Sequence, residues 1–525
     1  MVTHHLLIVI AVAVVTLLAV AVLRRVGVPT AVVLVVAGLV IGFLPFVPDV
    51  SLEPDAVLLG LLPLLVFDAA VTSSPTAFAR NARSIGLLAV GLVVATAFAV
   101  AAVAHWVGHL SWPMSFVLGT AVGPTDAAAA TSIARRLGLP QRLLAILEGE
   151  ALFNDATALV LYTEAVTAAR TGNFSILHTA GSIVYSSVVG TAIGLAVGIV
   201  GRRLRNRIDD PPIEIAGSML LAYAAYVPAE AVHASGVLAA VTAGLYLGWH
   251  SSGGAFSARS RLQSAAFWQT LVFLINAALF VLVGLSFHTF TAHARGPIGR
   301  LLLTGAAVVA AVVTVRLAWM ESSGWLIRLR RQGGAPRGGW RERTILGWSG
   351  MRGAITLAAL LAVPLATSAG HPLAGRDDII YLGFAVIIVT LVGEGMTLPV
   401  LVKRLGLTEH PSVADAERRT RLALTAAVLD HLQAAADSQG VSAELIDGLR
   451  VQYLARRARL ETGEDDELED HVAARVDAER ALRHDLVAVQ RRRLAELRTQ
   501  GRIGVTTMRT IERDLDLEDA RLPPS

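Results

Sequence analysis

The chain has 525 residues, of which 54% are hydrophobic and 16% charged, with a mean hydropathy of +0.60. Soluble proteins carry about 25% charged residues, so a water-exposed globular fold is excluded. The absence of cysteine removes disulfides, thiolate metal sites, iron–sulfur clusters and cysteine nucleophiles, and no other cofactor and no enzymatic chemistry is implied. Among 45 basic residues the one Lys, Lys403, follows Pro399-Val400-Leu401-Val402. No Gly-rich loop ending in Gly-Lys-Ser/Thr therefore exists, which excludes an ATP-driven pump of that type. Residues 1–404 hold 27 basic and 18 acidic side chains, net +9, and residues 405–525 hold 18 and 23, net −5. The pI near 9.7 reflects basic loops facing an anionic inner leaflet, not a nucleic-acid partner.

Apolar runs long enough to cross about 30 Å of hydrocarbon give thirteen expected spans, at 5–23, 28–46, 55–72, 84–108, 112–133, 143–168, 179–201, 212–231, 234–250, 265–288, 299–322, 344–366 and 378–401. The first is not read as a signal peptide, because Arg24-Arg25 follows the apolar run instead of preceding it. With the N-terminus outside, the inward loops hold 21 basic residues and the outward loops four, Arg170, Arg295, Arg300 and Arg376. Lys and Arg resist translocation, so the C-terminus is expected in the cytoplasm. An odd count suits two inverted six-helix units joined by a linking helix. In that scheme span 5, with Gly119, Gly123 and Pro124, matches span 12, with Gly347, Gly350 and Gly353. Paired interrupted helices point to a binding site. From residue 405 the composition changes: Val413–Ala436 and Asp466–Leu497 read as amphipathic soluble helices. The acidic cluster around 464–470 reads as a solvated loop, with a cation-sensing patch as the alternative.

Charges inside a membrane are costly, so each is a functional candidate. Asp126 and Asp155 fall roughly 18–21 Å from the surfaces where their spans begin, at 1.5 Å per residue, near the midplane of consecutive antiparallel helices. Thr125-Asp126 follows Gly123-Pro124, where a break frees carbonyls and helix ends. Asn154-Asp155 sets a neutral oxygen beside a charged one. Hard alkali cations take such oxygen ligands, and a carboxylate there can hold either a proton or a metal ion. Asp126, Asp155, Thr125 and Asn154 are therefore the expected ion site, with the two aspartates as the charged metal ligands. Glu150 lies four residues before Asn154, on the same helical face, and Arg316, deep in span 11, is its natural partner in an architectural pair. Glu148 is placed on the ion path as part of a cytoplasmic entrance. Glu164, Glu230 and Glu394 are read as near-interface residues, and His105 and His233 as packing or boundary residues.

The segment Glu148-Gly149-Glu150-Ala151-Leu152-Phe153-Asn154-Asp155 resembles the Glu-Ser-Leu-x-Asn-Asp signature of monovalent cation:proton antiporter family 1, the sodium/proton exchangers. Gly350-Met351-Arg352-Gly353-Ala354 resembles its Gly-Leu-Arg-Gly-Ala segment. Leu62–Asp68, Gly123–Asp126 and Gly395–Pro399 fall in the same order, so the resemblance spans about residues 5–405. It implies an all-α membrane protein with crossed broken helices, in which a core domain moves against a dimerisation domain of a homodimer. It also implies that Asp155, Asp126 and Thr125 bind the ion, that Glu150 pairs with Arg316, that Arg352 is the arginine beside the second break, and that Asp68 lies on the ion path. Two departures stand out. Ala151 replaces a common Ser, removing one hydroxyl from the ion. Asp68 replaces the usual Glu and calls for a water to reach the site. Asn-Asp in place of Asp-Asp resembles the electroneutral branch, one cation per proton.

The resulting expectation is an exchanger domain at 1–404 and a helical, regulatory cytosolic tail at 405–525. It exchanges Na⁺ for H⁺, with Li⁺ and K⁺ as further candidates, across a bacterial plasma membrane by alternating access. K⁺/H⁺ antiport is the closest alternative. A cation channel or a membrane sensor is the alternative of a different class, against which stand the unlike broken spans and the lack of a recognisable output domain.

Overall fold

Pro, Gly and apolar periodicity divide the chain into helices almost throughout. The computed structural model describes residues 29–44, 54–205, 207, 210–250, 258–292, 298–329, 339–407, 412–436 and 443–462, with isolated positions between 486 and 511. These residues contain no strand beyond an isolated bridge between Ala366 and Pro372. The expected span 5–23 lies outside the described residues, as do the acidic cluster and most of Asp466–Leu497.

In chain order the helices are α1 (Thr30–Gly42), α2 (Ala56–Thr72), α3 (Thr76–Trp106), α4 (Trp112–Ala121), α5 (Ala127–Arg136), α6 (Gln141–Thr171), α7 (Ile176–Arg205) and α8 (Pro211–Ala231). They continue as α9 (Gly236–Trp249), α10 (Ala258–Ala292), α11 (Ile298–Leu329), α12 (Trp340–Trp348), α13 (Ala354–Leu361) and α14 (Arg376–Leu405). Among the described residues five stretches, in α3, α7, α10, α11 and α14, are long and apolar enough to cross a membrane by themselves. The expected spans 112–133 and 344–366 are each interrupted: α4 stops before Val122-Gly123-Pro124, α12 before Ser349-Gly350. Proline lacks an N–H and disfavours helix in the residue before it, which accounts for the first break. Short π-helical turns occur at Leu87–Leu92 within α3 and Val389–Glu394 within α14.

Packing depends on small residues. In lipid no hydrophobic force separates helix–helix from helix–tail contact, so close backbone approach supplies the attraction. Gly38 of α1 lies against the Val281 carbonyl of α10, and Gly284 of α10 against the Val35 carbonyl of α1, each too close to admit a Cβ. Chain contacts divide the protein into two compact units, Met1–Thr408 and Glu409–Ser525. In the second, α15 (Ser412–Ala436) and α16 (Ala443–Thr462) pack on one another.

Replacing Gly284 with Val should lower the thermal midpoint of the detergent-solubilised protein. Overpacking of this kind costs about 1–3 kcal/mol. An unchanged melting curve would contradict the close α1–α10 contact.

Candidate functional site

The two breaks meet. The Asp126 N–H donates to the Met351 carbonyl at 2.7 Å, and Arg352 Nε donates to the Val122 carbonyl at 3.1 Å. Four half-helix ends therefore converge, each with unsatisfied backbone groups and a partial charge. Two side chains answer them. Asp126 Oδ1 accepts from the Ala129 N–H at 3.4 Å at the start of α5, and its Oδ2 lies against Gly353 at the start of α13, where a Cβ would overlap it. Arg352 is 1% exposed and bonds the carbonyls of Val122 and Gly350, at the ends of α4 and α12. One anion thus covers the positive ends and one cation the negative ends.

α6 runs beside the crossing and carries Glu148, Glu150, Asn154 and Asp155. Arg316 of α11 bonds Glu150 through both guanidinium nitrogens, at 2.5 and 2.9 Å, while its Nε donates to the Leu346 carbonyl at 3.1 Å. Both side chains are almost fully buried. The pair also reaches the expected ion site, a link that spacing did not reveal. Thr125 Oγ1 donates to Glu150 Oε1 at 3.0 Å, and Asn154 Nδ2 donates to Thr125 O and Oγ1, each at 3.1 Å. The Thr125 oxygens thus serve this network. With its nitrogen held there, Asn154 Oδ1 points the other way, buried and without a partner among the described residues. Asp155 is buried, lies within electrostatic reach of Asp126, and its carboxylate has no hydrogen-bond or ion-pair partner among the described residues.

The remaining sequence candidates scatter. Glu148 pairs with Arg135 of α5 at 2.5 Å, partly exposed. Asp68 lines a cavity of about 210 Å³ between α2, α7, α8, α9 and α10, together with Arg205, Glu214 and Trp268. Glu164 meets Thr179 at 3.4 Å, and Glu230 accepts from the Gly236 N–H at 3.0 Å in the α8–α9 turn. Glu394 is 4% exposed, on the π-helical turn of α14. Glu214 was not among the candidates, yet it is buried and bonded by Arg205 at 2.6 and 2.8 Å and by Ser260.

Residues 10–404 match the family described as sodium/hydrogen exchanger, transmembrane. The chain belongs to this family. It is 35% identical over 505 residues to an uncharacterized Na⁺/H⁺ exchanger of Mycobacterium tuberculosis, covering 95% of this chain and 92% of that protein. It is 30% identical over 443 residues to the Na⁺/H⁺ antiporter ApNhaP of Aphanothece halophytica, covering 83% and 80%. Its fold is similar to the solved structure of the sodium proton antiporter MjNhaP1 from Methanocaldococcus jannaschii, with a TM-score of 0.60 at 17% identity over 77% of this chain and 100% of that one. The exchanger is thus a membrane-embedded, multi-pass helical cation/proton antiporter and not an enzyme.

Removing either partner of the Glu150–Arg316 pair leaves a buried charge uncompensated, about 3–5 kcal/mol. Glu150→Ala and Arg316→Ala should each reduce the yield and melting temperature of the exchanger, and the reciprocal swap should recover part of both. Single variants that melt like the wild type would refute the pair's structural role. Gly353→Ala should cost transport rate, because its methyl collides with the Asp126 carboxylate; wild-type exchange in that variant would contradict the crossing geometry.

Proposed function

We propose that the exchanger moves Na⁺ against H⁺ with one charge in each direction, and that Asp155 is the carboxylate for which the two compete. The supporting observation is that Asp155 and Asn154 are buried next to a broken helix, and that the Asp155 carboxylate and Asn154 Oδ1 have no hydrogen-bond partner among the described residues. A buried oxygen without a partner is costly, and a cation or a proton relieves that cost. Asp126 adds charge, while Thr125 and Glu150 hold Asn154 in orientation. Arg316 neutralises Glu150 and Arg352 caps the helix ends. Asp126 stays engaged with the starts of α5 and α13, which leaves Asp155 as the one acid that trades a proton for a cation and supports an electroneutral cycle.

On this reading residues 1–404 form thirteen spans in two inverted units, with the N-terminus outside and the C-terminus in the cytoplasm of a bacterial cell. The exchanger works as a homodimer by alternating access. Asp68 and Glu148 flank the ion path, Asp68 from the cavity side and Glu148 near the cytoplasm. The relatives named as Na⁺/H⁺ antiporters support Na⁺ as substrate ahead of K⁺. Residues 405–525 form a regulatory tail. Truncation after residue 410 should leave exchange intact with a shifted pH profile, and loss of exchange in an inserted, dimeric truncation would refute the regulatory assignment.

Two outcomes test the proposal in proteoliposomes. Asp155→Asn and Asp126→Asn should abolish exchange, or nearly so, in folded, inserted protein; wild-type rates in Asp155→Asn would end it. The sign of the pH effect follows from competition: protonation removes the cation's ligand, so the apparent KM for Na⁺ rises as pH falls, approaching tenfold per pH unit in the acid limit. At high pH the rate falls again for want of a returning proton. The acid limb should move with Na⁺ concentration, and a limb that stays fixed would indicate a separate pH sensor instead.

A further inference from the structure

One face of α6 stays accessible from the start of the helix nearly to Asp155. Between Leu143 and Leu152 every residue is buried except Ala145, Glu148 and Ala151. Together with exposed Gln141 before them and Asp155 after them, these positions recur every three or four residues, which places them on one side of the helix. Exposure falls along that side, from Gln141 at the α5–α6 turn to 7% at Asp155. The turn carries Arg135, Arg136 and Arg142, the basic signature of a cytoplasmic loop. The face therefore forms a track from the cytoplasm toward the ion site.

Glu148 is the charged residue midway along this track, and Arg135 occupies it. The two side chains bond at 2.5 Å and are 65% exposed for Arg135 and 29% for Glu148. Arg135 comes from α5, the half-helix that starts at Asp126, and Ser132 is exposed on the same helix one turn earlier. Arg142 is engaged elsewhere, with Glu342 at 2.9 Å. A charge turned to lipid is costly, so this open pair marks a water-filled mouth. Glu148 stands seven residues before Asp155, roughly 10 Å along the helix at 1.5 Å per residue. An exposed ion pair contributes little to stability and opens readily. Opening it takes a side-chain rotation and no movement of α5 against α6.

We infer that Arg135 is a positioning residue that acts through Glu148 and sets the cation affinity of the cytoplasmic mouth. A free carboxylate on the approach draws an alkali cation toward Asp155, whereas one neutralised by a tethered guanidinium does not. The incoming cation thus competes with Arg135 for Glu148 before it reaches the buried site. This rests on the antiport reading and on the place of Glu148 beside the ion path, but not on which alkali cation is carried.

The test uses everted membrane vesicles, which present the cytoplasmic face to added Na⁺, Li⁺ or K⁺. A wild type that moves protons with none of them refutes the antiport reading, and this inference with it; an exchanging wild type puts the inference alone at stake. Arg135→Gln should then lower the apparent cation KM about threefold, the scale of an exposed ion pair, and Glu148→Gln should raise it by a similar factor. Arg135→Lys, which keeps the charge, should return most of the wild-type KM. A merely structural bridge is broken equally by either amide, so it predicts shifts of the same sign or none. Opposite shifts support the inference, and any other combination overturns it. If Arg135→Gln does not insert, Arg135→Ala takes its place: a lowered KM supports the competition, and an unchanged or raised one overturns it.

Discussion

Four helix ends brought together inside a membrane set the terms for everything else in this exchanger. Each end of α4, α5, α12 and α13 leaves backbone groups that the helix itself cannot satisfy, and no bulk water is there to take them. Opposite charges resolve this with two residues, Asp126 against the starts of α5 and α13 and Arg352 against the ends of α4 and α12. Gly353 is needed because the carboxylate takes the space of its side chain. The crossing is stable in this arrangement, and it is polar where an ion must pass.

The Glu150–Arg316 pair gains its meaning from that setting. A buried ion pair is weak evidence for stability by itself, since desolvation offsets much of the attraction. Here its carboxylate also anchors Thr125, Thr125 anchors Asn154, and the orientation of Asn154 leaves its Oδ1 buried without a partner among the described residues. Architecture and ion chemistry are therefore one network. Damage to the pair should propagate to the site even where the fold survives.

Much of this was legible in the sequence because the relevant signals are local. Gly123-Pro124 and the Gly350/Gly353 spacing mark the breaks, and depth counted from span ends places Asp126 and Asp155 near one level. Arg316 stands out because a lone arginine deep in an apolar helix requires an acid. Other features depend on which face a helix turns inward, which single charges do not reveal. Glu394 carries no local mark of burial, yet its helix turns it inward. Arg205 and Glu214 carry no motif or spacing that marks them, and only the approach of α7 to α8 shows that they satisfy each other. The Arg135 partner of Glu148 comes from the packing of α5 on α6, which the spacing of charges along α6 does not show.

The central claim is that cation and proton use the same carboxylate. It is tested most directly by titrating Na⁺ into purified exchanger, well into the acid limb of its activity profile, in two buffers of different ionisation enthalpy. The difference between the heats counts protons released per cation bound. The account predicts close to one proton for the wild type and no saturable cation binding in Asp155→Asn. Saturable Na⁺ binding that releases no proton would contradict it.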